Sequence, residues 1–593
     1  MKYREFAEAC ERISQVTKRL EIRSFLSEFL RKLDPEDIPP ALYMLQGQLR
    51  PEYEGVELGV GDALVLKALA TAAHMDEGRL KEEVRASGDM GESAFKVLSG
   101  RQVLEEGRPL ELSETYDTLR KIGSTTGEGS QEGKTGAIAI LLTRTSPVEA
   151  KHLVRFLLGK LRLGVKEMTL LDALAEIYGE GDFKLARGTI ENAFNMDPDL
   201  GEIGTLLREA GLKGLEAVTV ALGKPVRPML AERERSLQEV LDRMGGKMAL
   251  EYKYDGLRVQ VHVDRDGNVK IFSRRLEDLS SQFPDVVAAL KGAFRTLPVI
   301  VEGECVPVDP ETGELRPFQE ISRRRGRKYD LERIATEIPV EVFLFDLLLE
   351  GTESLLPKPY PERRERLEKL TRTSSAVDFA TREIVSELPE AERFFQKALT
   401  DGCEGVVAKS LAPDSRYKAG GRGFLWIKYK REYTQELSDT IDAVIVGAYR
   451  GRGKRAQWYG AFLMALYDPD RECFSTLCKV GTGFDEETLA SLTQRLTNAA
   501  LTARPPSVES GFAPDVWVDP EIVLELRGAE LSLSPVHTAA TGLIREGYGL
   551  ALRFPRFTGR LRDDKGAEEA TTVGEAVRMY TSQVRHVEEP PKP

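Results

Sequence analysis

Apolar residues change their spacing once along this chain, and that change limits its fold more than any other feature. From Met1 to about Leu215 they recur at helical intervals; beyond Lys224-Pro225-Val226-Arg227-Pro228 they alternate as strands do. One core cannot serve both patterns, and 593 residues exceed what a single core fills. Residues 3–33 read as two amphipathic helices carrying Phe6, Ile13, Val16, Leu20, Phe25, Phe29 and Leu33 on their apolar faces. Pro35 and Pro39-Pro40 mark turns, further helices are predicted over 147–158, 169–178 and 183–195, and no fixed repeat suggests a solenoid.

After the switch, Leu257, Val259, Val261 and Val263 fall on one strand face and Arg258, Gln260 and His262 on the other. Strands are predicted over 269–272, 299–301 and 342–345, with helices over 361–370 and 390–399, an α+β pattern. From about Ser438 short strands at 441–448, 460–467, 474–480 and 522–526 fit a small β-barrel such as an OB-fold, as they would other small barrels. The expected organisation is therefore an all-α domain over 1–215, an α+β domain over 216–436, a β-barrel over 437–586 and a disordered tail over 587–593.

Composition excludes several classes. With 41% hydrophobic and 30% charged residues the chain is an ordinary soluble protein, and no apolar run approaches a membrane span. The N-terminus lacks a secretory signal, and five scattered cysteines without a CxxC pair read as reduced thiols of a cytoplasmic protein. The net charge of −12 argues against nucleic acid, but phosphate binding depends on local patches. Residues 322–328 hold five cations and no acid, and 449–455 hold Arg450, Arg452, Lys454 and Arg455.

Gly127-Glu128-Gly129-Ser130-Gln131-Glu132-Gly133-Lys134-Thr135 imitates a phosphate-binding P-loop. The motif needs glycine at position 128, which is Glu128, and a preceding buried strand that is missing. A loop between helices touching DNA phosphates is the better reading. Lys253 carries more weight. It lies between a strand predicted to end at Glu251 and a turn at Asp255-Gly256, ahead of the strand from Leu257. A lone Lys-x-Asp-Gly also suits a surface lysine beside a hairpin, so other segments must decide.

They do so in order. Lys253-Tyr254-Asp255-Gly256-Leu257-Arg258 resembles the first motif of the covalent nucleotidyltransferases, which comprise DNA ligases, RNA ligases and capping enzymes. Phe272-Ser273-Arg274-Arg275, Val301-Glu302-Gly303-Glu304 (with Glu302 where many relatives carry Asp), the strand with Phe345-Asp346, Glu404-Gly405-Val406-Val407-Ala408-Lys409 and Trp426-Ile427-Lys428-Tyr429-Lys430 resemble the motifs that follow. Leu552-Arg553-Phe554-Pro555-Arg556, continued by Arg560-Leu561-Arg562-Asp563-Asp564-Lys565, is similar to the last motif of DNA ligases. The helical region, with Gly127 to Gln131 and Gly159 to Val165, resembles the DNA-binding domain of archaeal and eukaryotic replicative ligases; the compact length favours an archaeal or bacterial form.

The resemblance implies an ATP-dependent DNA ligase. It would seal nicks between 3′-OH and 5′-phosphate in replication, repair and recombination, acting as a nucleoid-associated monomer on nicked double-stranded DNA. Lys253 would be the nucleophile. Glu251 would read the adenine amino group, Phe345 would stack on the base with Phe343 on the same face, and Arg258 with Glu304 would hold the ribose. Arg274 and Arg422 would meet the nucleotide or the 5′-phosphate. Glu304 and Glu404 suit Mg²⁺ or Mn²⁺. Arg553, Arg556, Arg560 and Lys565 would orient pyrophosphate. Plainer roles stand beside these: Glu404 as a lysine's ion-pair partner, Phe345 as core, Arg556 and Arg560 as DNA contacts or surface charge.

The chemistry is coherent. Only a neutral amine attacks the α-phosphate, whereas a free lysine has a pKa near ~10.4. One cation about 4 Å away at an effective dielectric of about 20 costs the ammonium about 4 kcal/mol, enough to lower its pKa by roughly three. By the resemblance Lys428 and Lys430 would supply most of that charge, and a metal ion would do the same. An RNA ligase or capping enzyme is disfavoured by the large helical domain and the Arg-Phe-Pro-Arg motif, and a non-catalytic DNA-end binder by the filled catalytic positions. NAD is disfavoured by the missing four-cysteine cluster and nicotinamide-binding element. A sliding clamp is a further family partner, although Gln102-Val103-Leu104 lacks the aromatic pair of a clamp-binding box.

Overall fold

Helices fill the first 210 residues as the spacing predicts. The computed structural model describes every residue except 17, 101–107, 128, 235, 310–312, 317, 325, 326, 328, 431–439, 452–456, 502, 529 and 589–593. Gln102-Val103-Leu104, much of both basic runs and most of the tail therefore lie outside the described residues. The predicted helices appear as Tyr3–Ser14, Arg19–Arg31, Pro147–Leu157, Glu167–Tyr178 and Phe183–Met196. Others, such as Glu77–Ser87, Met90–Ser99 and Leu200–Ala210, begin where Asp76, Asp89 and Asp199 accept first-turn N–H groups. Their apolar faces share one core running from Tyr3 to Leu215. Leu20 is a correction: spacing puts it on the apolar face, but it is exposed. The P-loop imitation joins Leu112–Ser124 to Ser130–Thr143, and buried Lys134 donates to the Leu58 carbonyl at 2.7 Å, away from any phosphate role.

Two sheets follow. One runs β1 (Leu230–Arg233), β11 (Arg422–Lys430), β10 (Gly405–Ser410), β2 (Met248–Lys253), β9 (Arg382–Val385). The other runs β4 (Val269–Ser273), β3 (Leu257–Val263), β5 (Val299–Pro307), β6 (Val340–Glu350), β7 (Glu353–Ser354), with β8 (Val377–Phe379) beside β6. Leu257, Val259, Val261 and Val263 point into a core shared with helices Pro284–Leu290 and Tyr360–Leu370. The opposite face of β3 is polar but not solvated: Gln260 and His262 are buried too. A second apolar cluster, with Ile300, Leu348, Val407 and Trp426, joins the two sheets. Val220, Val226 and Met229 belong to that cluster, so the segment at which the spacing changes is packed into a core, and residues 1–429 form one compact unit.

Lys430–Pro593 form a second unit. Strands β12 (Ile441–Arg450), β13 (Tyr459–Asp468) and β14 (Cys473–Val480) pair antiparallel. Short strands β15 (Ala500–Leu501), β16 (Val508–Glu509) and β17 (Val516–Val518) extend the sheet. β18 (Val523–Arg527) pairs with β12 and with β21 (Arg556–Leu561), while β19 (Glu530–Ser534) pairs with β20 (Gly549–Arg553). The result is a half-barrel around an apolar core rather than a single ring of strands. The last helix, Val573–Glu588, takes in the first two residues of the segment expected to be a disordered tail, which corrects that boundary.

Candidate active site

Lys253 ends β2 and faces a cleft between the sheets because of strand parity. Glu251 and Lys253 share a face, opposite Val407 and Gly405 of β10, and Lys409 lies two residues along the same face. There the Lys409 ammonium pairs with Glu251 at 2.6 Å and sits 4.4 Å from the centre of Trp426. Trp426, Lys428 and Lys430 alternate along β11, so both lysines lie on the face of Lys253. The other face packs on helix Leu388–Thr400: Tyr252 meets Phe394 at 5.0 Å and Tyr429 meets Phe395 at 4.9 Å between ring centres.

The turn after Lys253 is pressed onto β5. A Cβ on Gly256 would stand 2.6 Å from the Cys305 carbonyl oxygen and 2.9 Å from Cγ of Glu304, so only glycine fits. This close approach brings Asp255, Glu304 and Glu404 around one amine. Lys253 Nζ is 2.5 Å from Glu404 Oε2, and the Glu404 N–H donates to the Lys253 carbonyl at 2.8 Å. Burial, opposed by Lys253 and Arg258 and reinforced by Glu404 and Asp255, pushes Glu304 up to about 7. Burial, then the charge of Glu404 and a hydrogen bond shared with it, raises Asp255.

Among the described residues no three His, Cys, Asp or Glu side chains form a metal cage. Mutually repelling carboxylate oxygens nevertheless fit Mg²⁺ or Mn²⁺, whose hard ions take one or two carboxylates and complete their shell with water and phosphate. Glu304 and Glu404 are the residues that would hold it.

Other expected residues have commitments the sequence does not reveal. The Glu251 side chain, expected to read adenine, is buried among Lys409, Arg364 and the Tyr360 hydroxyl. Arg258 lies opposite Glu304 across the strands, yet its guanidinium pairs with buried Glu302 at 2.8 Å. Phe345 sits where the β5–β6 register slips, 5.4 Å from the Arg258 guanidinium and 4.8 Å from the Lys409 ammonium. Phe343 instead stacks on Tyr254 at 4.2 Å. Arg274 and Arg422 are exposed, at the end of β4 and the start of β11.

In the second unit Arg553, Arg556 and Arg560 are exposed along β20–β21, Arg560 lying 3.7 Å from Glu525. Lys565 differs. Its ammonium lies 2.7 Å from the buried Asp442 carboxylate, which Arg562 also holds at 2.6 Å. Sequence alone gives no role to Tyr417, Tyr360 or Arg364, quotes Lys409 only as the end of a motif, and notes Glu302 only as a substitution. Alternation from Val407 to Lys409 was the one available signal, placing a lysine on the cleft face.

A lysine at a strand end, facing a cleft with two more lysines on its own sheet and carboxylates around it, defines a covalent nucleotidyltransferase. Comparisons narrow the class. "DNA ligase N terminus" matches residues 2–175, "ATP dependent DNA ligase domain" 228–430 and "ATP dependent DNA ligase C terminal region" 455–565. A "DNA ligase 2" of Thermofilum pendens is 45% identical over 98% of this chain and 97% of its own. A DNA ligase of Sulfolobus acidocaldarius is 42% identical over 99% and 98%. The chain belongs to the ATP-dependent DNA ligase family. The solved structure "Pmar-Lig_Pre." shares the fold at 17% identity, with a TM-score of 0.54, covering 94% of this chain and 99% of its own.

Proposed function

We propose that Lys253 is the nucleophile with which this ATP-dependent ligase seals nicked DNA in replication, repair and recombination. The observation that carries the reading is the shared cleft face of Lys253, Lys428 and Lys430, with Glu404 Oε2 2.5 Å from the Lys253 amine. In the first step the neutral amine attacks the α-phosphate of ATP. The Nζ–P bond forms, the bond to the bridging oxygen breaks, pyrophosphate leaves, and AMP stays on the lysine. Glu404 is placed to take the amine proton as that bond forms, and Lys428 and Lys430 oppose growing negative charge on the phosphoryl oxygens. Mg²⁺, if held by Glu304 and Glu404, would supply Lewis-acid neutralisation of phosphoryl charge.

Arg258, Phe345 and the network around Glu251 form the nucleoside end of the site, with Arg274 and Arg422 assigned to phosphate contacts. The exposed Arg553, Arg556 and Arg560 are assigned to pyrophosphate; Lys565 joins them only by leaving Asp442. AMP then passes to the 5′-phosphate of the nick, and the 3′-OH displaces it. The helical domain would contact DNA backbone, so binding is sequence-independent and weakens with salt.

The test is direct. α-labelled ATP with Mg²⁺ labels the protein but not Lys253→Ala, and nicked DNA removes the label as sealed product forms. Label that nicked RNA discharges and nicked DNA does not would overturn the DNA assignment. Label retained by Lys253→Ala would overturn the nucleophile.

A further inference from the structure

Residues 223–230 leave the helical domain and enter β1, yet they run as a strap through the apolar filling between the two sheets. Gln260, on the polar face of β3, grips the strap as a neighbouring strand would. The Val226 N–H donates to Gln260 Oε1 at 2.8 Å, and Gln260 Nε2 donates to the Val226 carbonyl at 3.0 Å. His262 extends the grip: the Gly223 N–H donates to its Nδ1 at 3.0 Å. Its Nε2 lies 3.0 Å from Gln260 Oε1 and donates to it. Burial holds this imidazole neutral by lowering it to about 3, as an accepting Nδ1 requires.

Three residues past Val226 the strap reaches the site. The Met229 N–H donates to the Tyr417 hydroxyl and the Met229 carbonyl accepts from Arg258 Nη1, each at 2.8 Å. Tyr417 in turn donates to Glu302 at 2.8 Å, and Glu302 pairs with Arg258 Nη2. Both terminal nitrogens of Arg258 are thereby fixed. Its buried Nε has no hydrogen-bond partner among the described residues. The strap's outer side is held by the helical domain. Arg227 N–H donates to the Asn195 carbonyl at 2.8 Å, its guanidinium donates to Glu167 at 2.7 Å, and Lys224 pairs with Asp197 at 2.6 Å.

We propose that Gln260 is a positioning residue for adenylation: by fixing the strap's Met229 carbonyl, and by its own 3.4 Å hydrogen bond to Glu302, it sets the pose of the Arg258 guanidinium. The proposal rests on the reading of Arg258 as a nucleotide-binding residue. Gln260 touches no reacting atom. A guanidinium held at Nη1 by the strap and at Nη2 by Glu302 presents its remaining nitrogen, Nε, in one direction; without the strap it pivots about Glu302.

The experiment measures single-turnover labelling of the full chain by α-labelled ATP across ATP concentrations. Gln260→Met, close in shape but without either polar atom, is expected to raise the ATP concentration for half-maximal rate about tenfold, with a saturating rate within about threefold. His262→Phe removes the Gly223 contact and the bond to Gln260 Oε1 but leaves both Gln260–Val226 bonds, and is expected to move the same quantity by less. A purely structural loss lowers the labelled fraction and the melting temperature but leaves half-saturation unchanged, and that result overturns the proposal. Should Gln260→Met fail to fold, His262→Phe decides alone. Arg258→Lys separates the two readings. If it leaves ATP dependence unchanged, the nucleotide role of Arg258 fails. If it weakens ATP while both strap variants match wild type, only the positioning role fails.

Discussion

Lys409→Met tests how the nucleoside end of the cleft is held together. Lys409 and Glu251 are 2% and 3% exposed and lie 2.6 Å apart, and Lys409 also donates to the Phe345 carbonyl at 3.1 Å. Removing one partner of so dry a pair costs about 3–5 kcal/mol, because the other charge stays buried. Glu251 keeps Arg364 and Tyr360, which places the expected loss near the lower bound, about 3 kcal/mol. Glu251→Gln strands Lys409 in the same way. The double variant removes both charges, and Arg364 retains Glu368, so its loss should fall short of the sum of the single losses by at least about 1.5 kcal/mol. Equilibrium urea unfolding measures this, followed through Trp426, the one tryptophan within residues 1–429, with Trp458 and Trp517 replaced by phenylalanine. Losses that add to within about 0.5 kcal/mol would refute the brace.

Asp442→Asn should lower the unfolding midpoint of the second unit, read by Trp458 and Trp517, more than Lys565→Met, since only the former deprives both Arg562 and Lys565 of their partner. Arg553→Ala and Arg556→Ala should slow labelling by ATP more than tenfold yet spare sealing of a pre-adenylated nick; equal loss in both assays would remove the pyrophosphate role. Lys134→Met should reduce stability and leave ATP half-saturation unchanged, because its ammonium is tied to the Leu58 carbonyl. Burial and then Asp378 push Glu341 up to about 7. Its ionisation therefore disfavours the fold, so stability present below about pH 4.5 is lost as pH rises to about 7. Glu341→Gln should flatten that stretch of the pH–stability curve and leave acid stability unchanged.

Residues whose local pattern sets their surroundings were legible in the sequence. The helical character of the first domain, the strands over 257–263, 269–272, 299–301 and 342–345 and the position of Lys253 beside a strand end follow from periodicity and turn residues, because helix and strand burial repeat at fixed intervals. The strands carrying the later motifs, Gly405–Ser410, Arg422–Lys430, Gly549–Arg553 and Arg556–Leu561, do not. What stayed hidden depends on contacts between distant segments. The family resemblance pairs Arg258 with Glu304, but the partner is decided by Tyr417, 159 residues from Arg258, whose hydroxyl completes the shell of Glu302. The Lys224 to Pro228 run holds two prolines, yet Pro225 and Val226 are buried, which nothing in the local pattern foretells. Leu20 failed for the opposite reason: the helix pattern continues past the end of the face that is covered.

All five cysteines are buried, one within the helical core, one in β5, one in the connection leading into β10 and two in the half-barrel. Burial pushes the Cys403 thiol, beside Glu404, up to about 12. A thiol reagent therefore gains access only when the surrounding element opens. Placed as they are, these side chains act as built-in clocks: their labelling rates, resolved by peptide, would time the local breathing of each domain in the wild-type protein, and Cys403 would report how nucleotide slows the opening of the cleft itself.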